Sequence, residues 1–440
     1  MQTCRALYEE GVKCLLADVA IHGAAQLGPF LAFLNAGDDV RFRSLCALRL
    51  SFQNPQSPPP EVVEQLLRAI PKMTALESLE IDCSNLLWEY PALNDAFAAL
   101  RSLRNLKAVL WNAANLPLVT HAQSPIRSIH VDSSVEEEPG VLFQSFSSTL
   151  EEIWYFQRTA GLSTPLRLTT RPPDRPPPIY PKVWKMNLGG MSPPRTIEYV
   201  KTFPNLTYLI LDLTHPYSDL DGPRSEALEI LEQHRMANRE DASSAPYWTH
   251  LQCYRGYVAD LYLLAIRCPI HEVDLHELFE DELELLAAVL EDVRPKHLTL
   301  RISHRTLENL ATTRLVMSGA FQLDRLHLTV KLKGDPADIN PYALTDNLFH
   351  PLRELRVKQL TLVLDGRMCA KRAWNPQSLL RAADVTPFPA DSNLYNFNTT
   401  AFGRYVLAQI PTMETVELSL RSVRAPVEER FRSSRVFKVV

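Results

Sequence analysis

A chain of 440 residues, 46% hydrophobic and with a formal charge of −5, has ample apolar material for a folded core. It lacks the basic field that a general nucleic-acid surface requires, so no nucleic-acid partner is expected. Seven scattered cysteines with no CxxC pair argue against a disulfide framework and for small core fillers in a reducing, intracellular compartment. The N-terminal MQTCRALYEEGVKCLLADV has no basic segment followed by an uninterrupted apolar run, so it is not read as a signal peptide. No apolar run is long enough to cross a bilayer, so no membrane partner is expected either.

The organising signal is a phrase. IPKMTALESLEI spans Ile70 to Ile81, FPNLTYLILDL spans Phe203 to Leu213, and IPTMETVELSL spans Ile410 to Leu420. Its relaxed form is apolar-x-x-apolar-x-apolar. In chain order the first copies are Leu16, Val19, Ile21 and Leu45, Leu48, Leu50. A helix is predicted at Glu61–Ala69, where Val62, Val63, Leu66, Leu67 and Ile70 recur at helical spacing. Leu76, Leu79, Ile81 follow, then a helix at Ala92–Leu103, then Leu103, Leu106 and a weak Val109. Next come Ile126, Ile129, Val131; Leu150, Ile153, Tyr155; and Val183, Met186, Leu188. A helix at Thr196–Thr202 leads to Leu206, Leu209, Leu211. Further helices are predicted at Tyr257–Ile266, Glu280–Asp292 and Thr399–Gln409. Interleaved with them are Ile270, Val273, Leu275; a defective Pro295, Leu298, Leu300; Leu323, Leu326, Leu328; Leu352, Leu355, Val357; and Met413, Val416, Leu418.

Most copies recur every 23 to 33 residues, near the roughly 20–29-residue period of leucine-rich repeats. The last two apolar positions of a copy are two apart, so they share one side of a short strand. Each strand must bury that side against its returning helix and its neighbours. The expected fold is therefore an α/β leucine-rich-repeat solenoid, a horseshoe with short parallel strands on the concave face and helices on the convex face. The whole chain, 1–440, reads as a single degenerate array. Irregular insertions interrupt it at about 166–181, with RPPDRPPPIYP, at 215–250, with an embedded helix near Ser225–Arg239, and at 366–398.

Chemistry is sparse. The densest ligand-like cluster is IHEVDLHELFEDE, with His271 and His276 five apart and Cys268 upstream. That is neither HExxH spacing nor a closed zinc set, and a solvated acidic ridge is the expected reading. No nucleophile elbow, phosphate loop or kinase signature is present; Gly189 and Gly190 read as a turn after a strand. No catalytic residue, metal or cofactor is therefore assigned, and the chain is not read as an enzyme. The sequons at Asn205 and Asn398 read as chance matches.

What remains is the solvent side of the strands. Positions between and just after each apolar pair point there. The expected protein-binding positions on the concave face are His130, Trp154, Lys185, Asn187, Asp212, Asp274 and Arg356. Trp154 is the largest aromatic in the row and the expected anchor. Its neighbours Tyr155 and Phe156 blur the alternation, so Trp154 as a core residue is the competing reading.

The triplets, their spacing and the proline-started strands resemble the leucine-rich region of fungal F-box-type proteins. CLLADVAIHGAAQLGPFLAFL, from Cys14 to Leu34, is similar to the segment that follows the F-box there. The resemblance implies a substrate-recognition part of a ubiquitin-ligase receptor, with an unknown protein substrate and a cullin-ligase adaptor as partners. An F-box opens with a Leu-Pro pair and spans several helices, whereas Arg5–Leu16 is far too short. The ligase role thus expects an F-box encoded upstream, and no F-box contact residue carries over. The alternative is a standalone binding scaffold with no ubiquitin role. An enzyme with its site in the insertions is a third reading.

Overall fold

The computed structural model describes residues 2–36, 38–52, 57–135, 138–158, 178–191, 195–213, 224–242, 248–279, 282–308, 323–332, 339, 341–354, 357–366, 399–410, 412–421 and 435–438. The chain divides into two compact units, Met1–Gly222 and Pro223–Val440. Both are built as an α/β solenoid: parallel strands follow one another in chain order, and helices return between them. This is the arrangement expected of leucine-rich repeats.

The strands of the first unit are β1 (Asp18–Ile21), β2 (Ala47–Ser51), β3 (Ser78–Asp82), β4 (Asn105–Leu110), β5 (Ser128–Ser133), β6 (Glu152–Gln157), β7 (Lys185–Gly189) and β8 (Tyr208–Asp212). Each pairs in parallel with the next. The register stacks the apolar pairs into two buried rows. One runs Leu48, Leu79, Leu106, Ile129, Ile153, Met186, Leu209; the other runs Leu50, Ile81, Ala108, Val131, Tyr155, Leu188, Leu211. Ala108, not Val109, is the third core position of its repeat. Alanine carries too little hydrophobicity to stand out in the sequence, and Val109 beside it is also buried.

Helices form where the apolar spacing asks for them. Pro60–Ala69 begins with Pro60 in its first turn, where a missing N–H costs nothing, and buries Val63, Leu66 and Ala69. At several turns a polar side chain ties one repeat to the one before. Ser102 donates to the Leu76 carbonyl at 2.8 Å, Thr149 to that of Ile126 at 2.8 Å, and Asn205 to that of Pro181 at 2.7 Å. These bonds satisfy carbonyls that the strands leave over at the turns. Gly190 closes β7 with φ +65°, and a Cβ there would lie 2.0 Å from the Gln157 carbonyl oxygen, so only glycine fits.

The second unit holds β9 (Cys253–Gly256), β10 (Glu272–Leu278), β11 (His297–Ser303), β12 (Arg325–Lys331), β13 (Gln359–Asp365) and β14 (Thr415–Arg421), all parallel. A last strand, β15 (Arg435–Lys438), runs antiparallel to β14 and covers its edge. No sequence signal announced β15. The expected triplet Leu352, Leu355, Val357 is displaced by one step. Leu352 lies in the helix Pro341–Glu354, and the strand carries Leu360 and Leu362 after Val357. Between the triplets at Leu206 and Ile270 lies an additional strand, β9, with Leu251 and Tyr254 in the core.

The helix embedded in the 215–250 insertion spans Arg224–Ala242 and buries Leu231, His234, Arg235 and Asn238. Of the 166–181 insertion, the part through Pro177 lies outside the described residues; beyond it Tyr180 is buried, and its hydroxyl donates to the Gly140 carbonyl at 2.8 Å. The 366–398 insertion lies outside the described residues except for Gly366, as does the sequon residue Asn398. The core-filler reading of the cysteines holds for Cys83 alone among the five free cysteines described; Cys14 and Cys46 are exposed, and Cys253 and Cys268 are partly so. Burial pushes the Cys268 thiol up to about 11. No helix among the described residues is long and apolar enough to cross a membrane.

Candidate protein-interaction face

The strand alternation gives the first unit's sheet an open side. Its central row runs Ala20, Arg49, Glu80, Lys107, His130, Trp154, Asn187, Ile210, one residue per strand from β1 to β8. Trp154 is on this side and partly exposed, while its neighbours Ile153 and Tyr155 are fully buried. Tyr155 reaches the core because its hydroxyl finds the Val135 carbonyl at 3.2 Å. Phe156 then returns to the open side. The core reading of Trp154 is therefore set aside by its position.

Around Trp154 the row becomes aromatic. The His130 ring stacks on it at 5.9 Å and also meets Phe156 at 6.3 Å. Lys185, on β7, places its Nζ 5.1 Å from the Trp154 ring, 5.7 Å from Trp184 and 5.8 Å from Tyr208, a multiple cation–π contact. Glu152 lies 3.6 Å from the same ammonium. Trp184 is 41% exposed, so apolar ring surface is presented to solvent beside a charge. Asp212 ends β8 and is exposed.

Asn187 departs from expectation. Its register is the expected one, between Trp154 and Ile210, yet only 5% of it is exposed and its amide oxygen is buried without a partner. Large neighbours on both sides in the row account for the burial, a feature that strand alternation alone does not convey.

Elsewhere on the same side two carboxylates, Glu80 and Asp132, are already paired with cations. Glu80 receives Arg49 at 2.5 Å and Lys107 at 2.8 Å. Burial alone would raise its pKa; the bonds from Lys107 and Arg49 outweigh that and hold the carboxyl below its ordinary value. The Asp132 carboxyl is held low by the hydrogen bond from His130, followed by that from Arg158 at 2.7 Å. Folded-state values below the unfolded ones mean a stabilising contribution that is complete above about pH 5. It is lost as pH falls through the depressed values. Urea midpoints should therefore drop on acidification from pH 6 to pH 3, and the drop should be smaller in Glu80→Gln. An equal drop in both proteins would show that Glu80 contributes nothing to it.

The expected site residues divide by unit. His130, Trp154, Lys185, Asn187 and Asp212 share one side of β5–β8 in the first unit. Asp274 belongs to the second unit, where Arg301 at 2.8 Å and Arg255 at 3.5 Å flank it. Arg356 lies outside the described residues. His271 and His276 do not converge: His271 packs edge-on against His297 at 4.4 Å, and His276 against Tyr257 at 4.9 Å. Among the described residues no group of three or more His, Cys, Asp or Glu could hold a metal ion. Trp184 and Tyr208 complete the aromatic cluster and were not singled out in the sequence, because both stand outside the core-triplet positions that define the row.

No protein-family model and no curated protein matches the chain. Among solved structures, the leucine-rich repeat-containing protein LegL7 from Legionella pneumophila aligns over 75% of this chain and 97% of its own, at 12% identity and a TM-score of 0.37.

Proposed function

We propose that the chain is a protein-binding scaffold of leucine-rich-repeat type, its repeats forming one array over 1–440, and that the open side of β5–β8 is its principal contact surface. The observation that carries this is the aromatic cluster of His130, Trp154, Trp184 and Tyr208 around Lys185. Partly exposed Trp and Tyr rings with a polar neighbour are the side chains that concentrate binding energy at protein interfaces. A solenoid surface also lets residues distant in sequence act together.

A photo-crosslinking residue placed at Ile210 on the open side of β8 should capture a partner in native cells, whereas one at Arg68, on the helix Pro60–Ala69, should not. Trp154→Ala should weaken that partner's binding by roughly 2 kcal/mol or more. Its circular dichroism and melting should match the parent. Unchanged affinity would place the contact surface elsewhere.

The more specific reading, a substrate receptor of a ubiquitin ligase, rests on the F-box-type resemblance alone. Copurification of a cullin-ligase adaptor with the protein made from its full transcript separates it from the plain scaffold. Occupancy of a cytoplasmic or nuclear compartment belongs to the same proposal.

A further inference from the structure

The cations of the aromatic cluster are matched and two of its acceptors are not. Lys185 is shared by three rings and Glu152. Arg158 lies 5.0 Å from the Trp111 ring and pairs with Asp132. By contrast, the exposed Asp212 carboxylate has no side-chain hydrogen bond or ion pair among the described residues. The Asn187 amide oxygen is buried with no donor. A buried acceptor left without a donor carries a desolvation cost that a partner N–H would relieve.

The backbone sets these acceptors beside ring surface. Phe156, Gly189 and Asp212 are in register on β6, β7 and β8, and Asn187 is two residues before Gly189 on the same side. Gly189 contributes no side chain, and the Phe156 ring lies across it: a Cβ at Gly189 would be 2.3 Å from Phe156 Cδ1. The result is an aromatic plate with Trp154 at one flank and an unmatched carboxylate at the other. A group that stacks on a ring while offering several N–H donors at fixed angles is complementary to that surface. Guanidinium does both; an ammonium offers charge without the plane, and a carboxylate would face Asp212 with like charge.

We propose that the Phe156 ring lying over Gly189, with the Asp212 carboxylate beside it, takes an arginine side chain from an extended segment of the partner protein. The guanidinium stacks beside Phe156 and Trp154, pairs with Asp212 and supplies a donor to Asn187 after a side-chain shift of the kind common at interfaces. The inference rests on the reading of the open side as the contact surface.

The test uses the full chain and four fluorescent pools of nonapeptides, each randomised except for a central Arg, Lys, Leu or Glu. Fluorescence polarisation should show the Arg pool binding about tenfold more tightly than the Leu and Glu pools, with Lys between. Asp212→Asn should abolish the Arg preference, and Trp154→Ala should weaken every pool. Asp82→Asn, an exposed carboxylate on β3, should change nothing. Binding that depends on Trp154 but favours Leu or Glu, or an Arg preference that survives Asp212→Asn, overturns the arginine assignment and leaves the contact surface standing. No Trp154-dependent binding of any pool overturns both.

Discussion

Asp292→Ala is expected to destabilise the second unit by about 3–5 kcal/mol. Arg235, in the helix Arg224–Ala242, is only 2% exposed, and its Nη2 donates to Asp292 Oδ2 at 2.7 Å. Its guanidinium also lies 3.7 Å from the Tyr262 ring centroid. Arg239 at 3.2 Å and Arg267 at 3.9 Å add to the cations around the same carboxylate. Burial lowers the Arg235 pKa, yet a guanidinium does not shed its proton under ordinary conditions. Removing Asp292 therefore strands a charge in a poorly solvated site. Asp292 also stands in the last turn of the helix Leu283–Val293, where the helix dipole disfavours an anion. The three cations offset that cost, and Tyr262 is held on its other side by Glu232. Hydrogen exchange should show the loss in Arg224–Ala242, Val258–Leu264 and Leu283–Val293, the elements that this network joins. Arg235→Met together with Asp292→Ala should be milder than Asp292→Ala alone, because no buried charge is left unmatched. A loss below about 1 kcal/mol in Asp292→Ala would mean that solvent, not the carboxylate, satisfies Arg235.

That network was not legible in the sequence. Arg235 and Asp292 are 57 positions apart, and the helix carrying Arg235 reads as a polar insertion. A docked helix can be polar where its buried face meets fixed charges, and hydropathy periodicity does not register such a face. The ordinary repeats were legible for the opposite reason. A strand buried on one side must carry apolar residues two apart, and Leu79, Ile81, Leu209, Leu211, Val416 and Leu418 are all buried as that rule requires. Helices Thr196–Thr202 and Thr399–Gln409 likewise have the bounds that their spacing indicates.

The failures have specific physical causes. In β9 the position opposite Leu275 is Gly256, so the third apolar mark of the triplet is missing. At Leu352 the first step of the triplet, apolar-x-x-apolar, is also helical spacing, and the helix Pro341–Glu354 claims it. The candidate site divides in the same way. Alternation places His130, Trp154, Lys185 and Asp212 on the open side from sequence alone. The burial of Asn187 depends on what stands beside it on β6 and β8, and pairing register supplies that information. The convergence of Trp184 and Tyr208 on Lys185 depends on side-chain reach between strands.

Leu209→Ala should cost roughly 2–5 kcal/mol, and the neighbouring Ile210→Ala far less. Both residues sit in β8, one position apart. Leu209 is 1% exposed, in the buried row beside Met186, whereas Ile210 lies beside Asn187 on the open side and is partly exposed. Deleting the Leu209 side chain removes packed volume that its neighbours refill only in part, so lost transfer energy and a residual cavity both count. At Ile210 solvent already reaches the site, and truncation leaves no enclosed cavity. The contrast isolates strand alternation from hydrophobicity, since leucine and isoleucine are nearly equal in size and transfer energy. Urea denaturation measures both losses, and hydrogen exchange at β7 and β8 locates them in the first unit. Equal losses at the two positions would mean that β8 buries both sides, and the open contact surface around Trp154 would then not extend to Asp212. A large loss at Leu209 with a small one at Ile210 fixes the side of the sheet on which a partner must land.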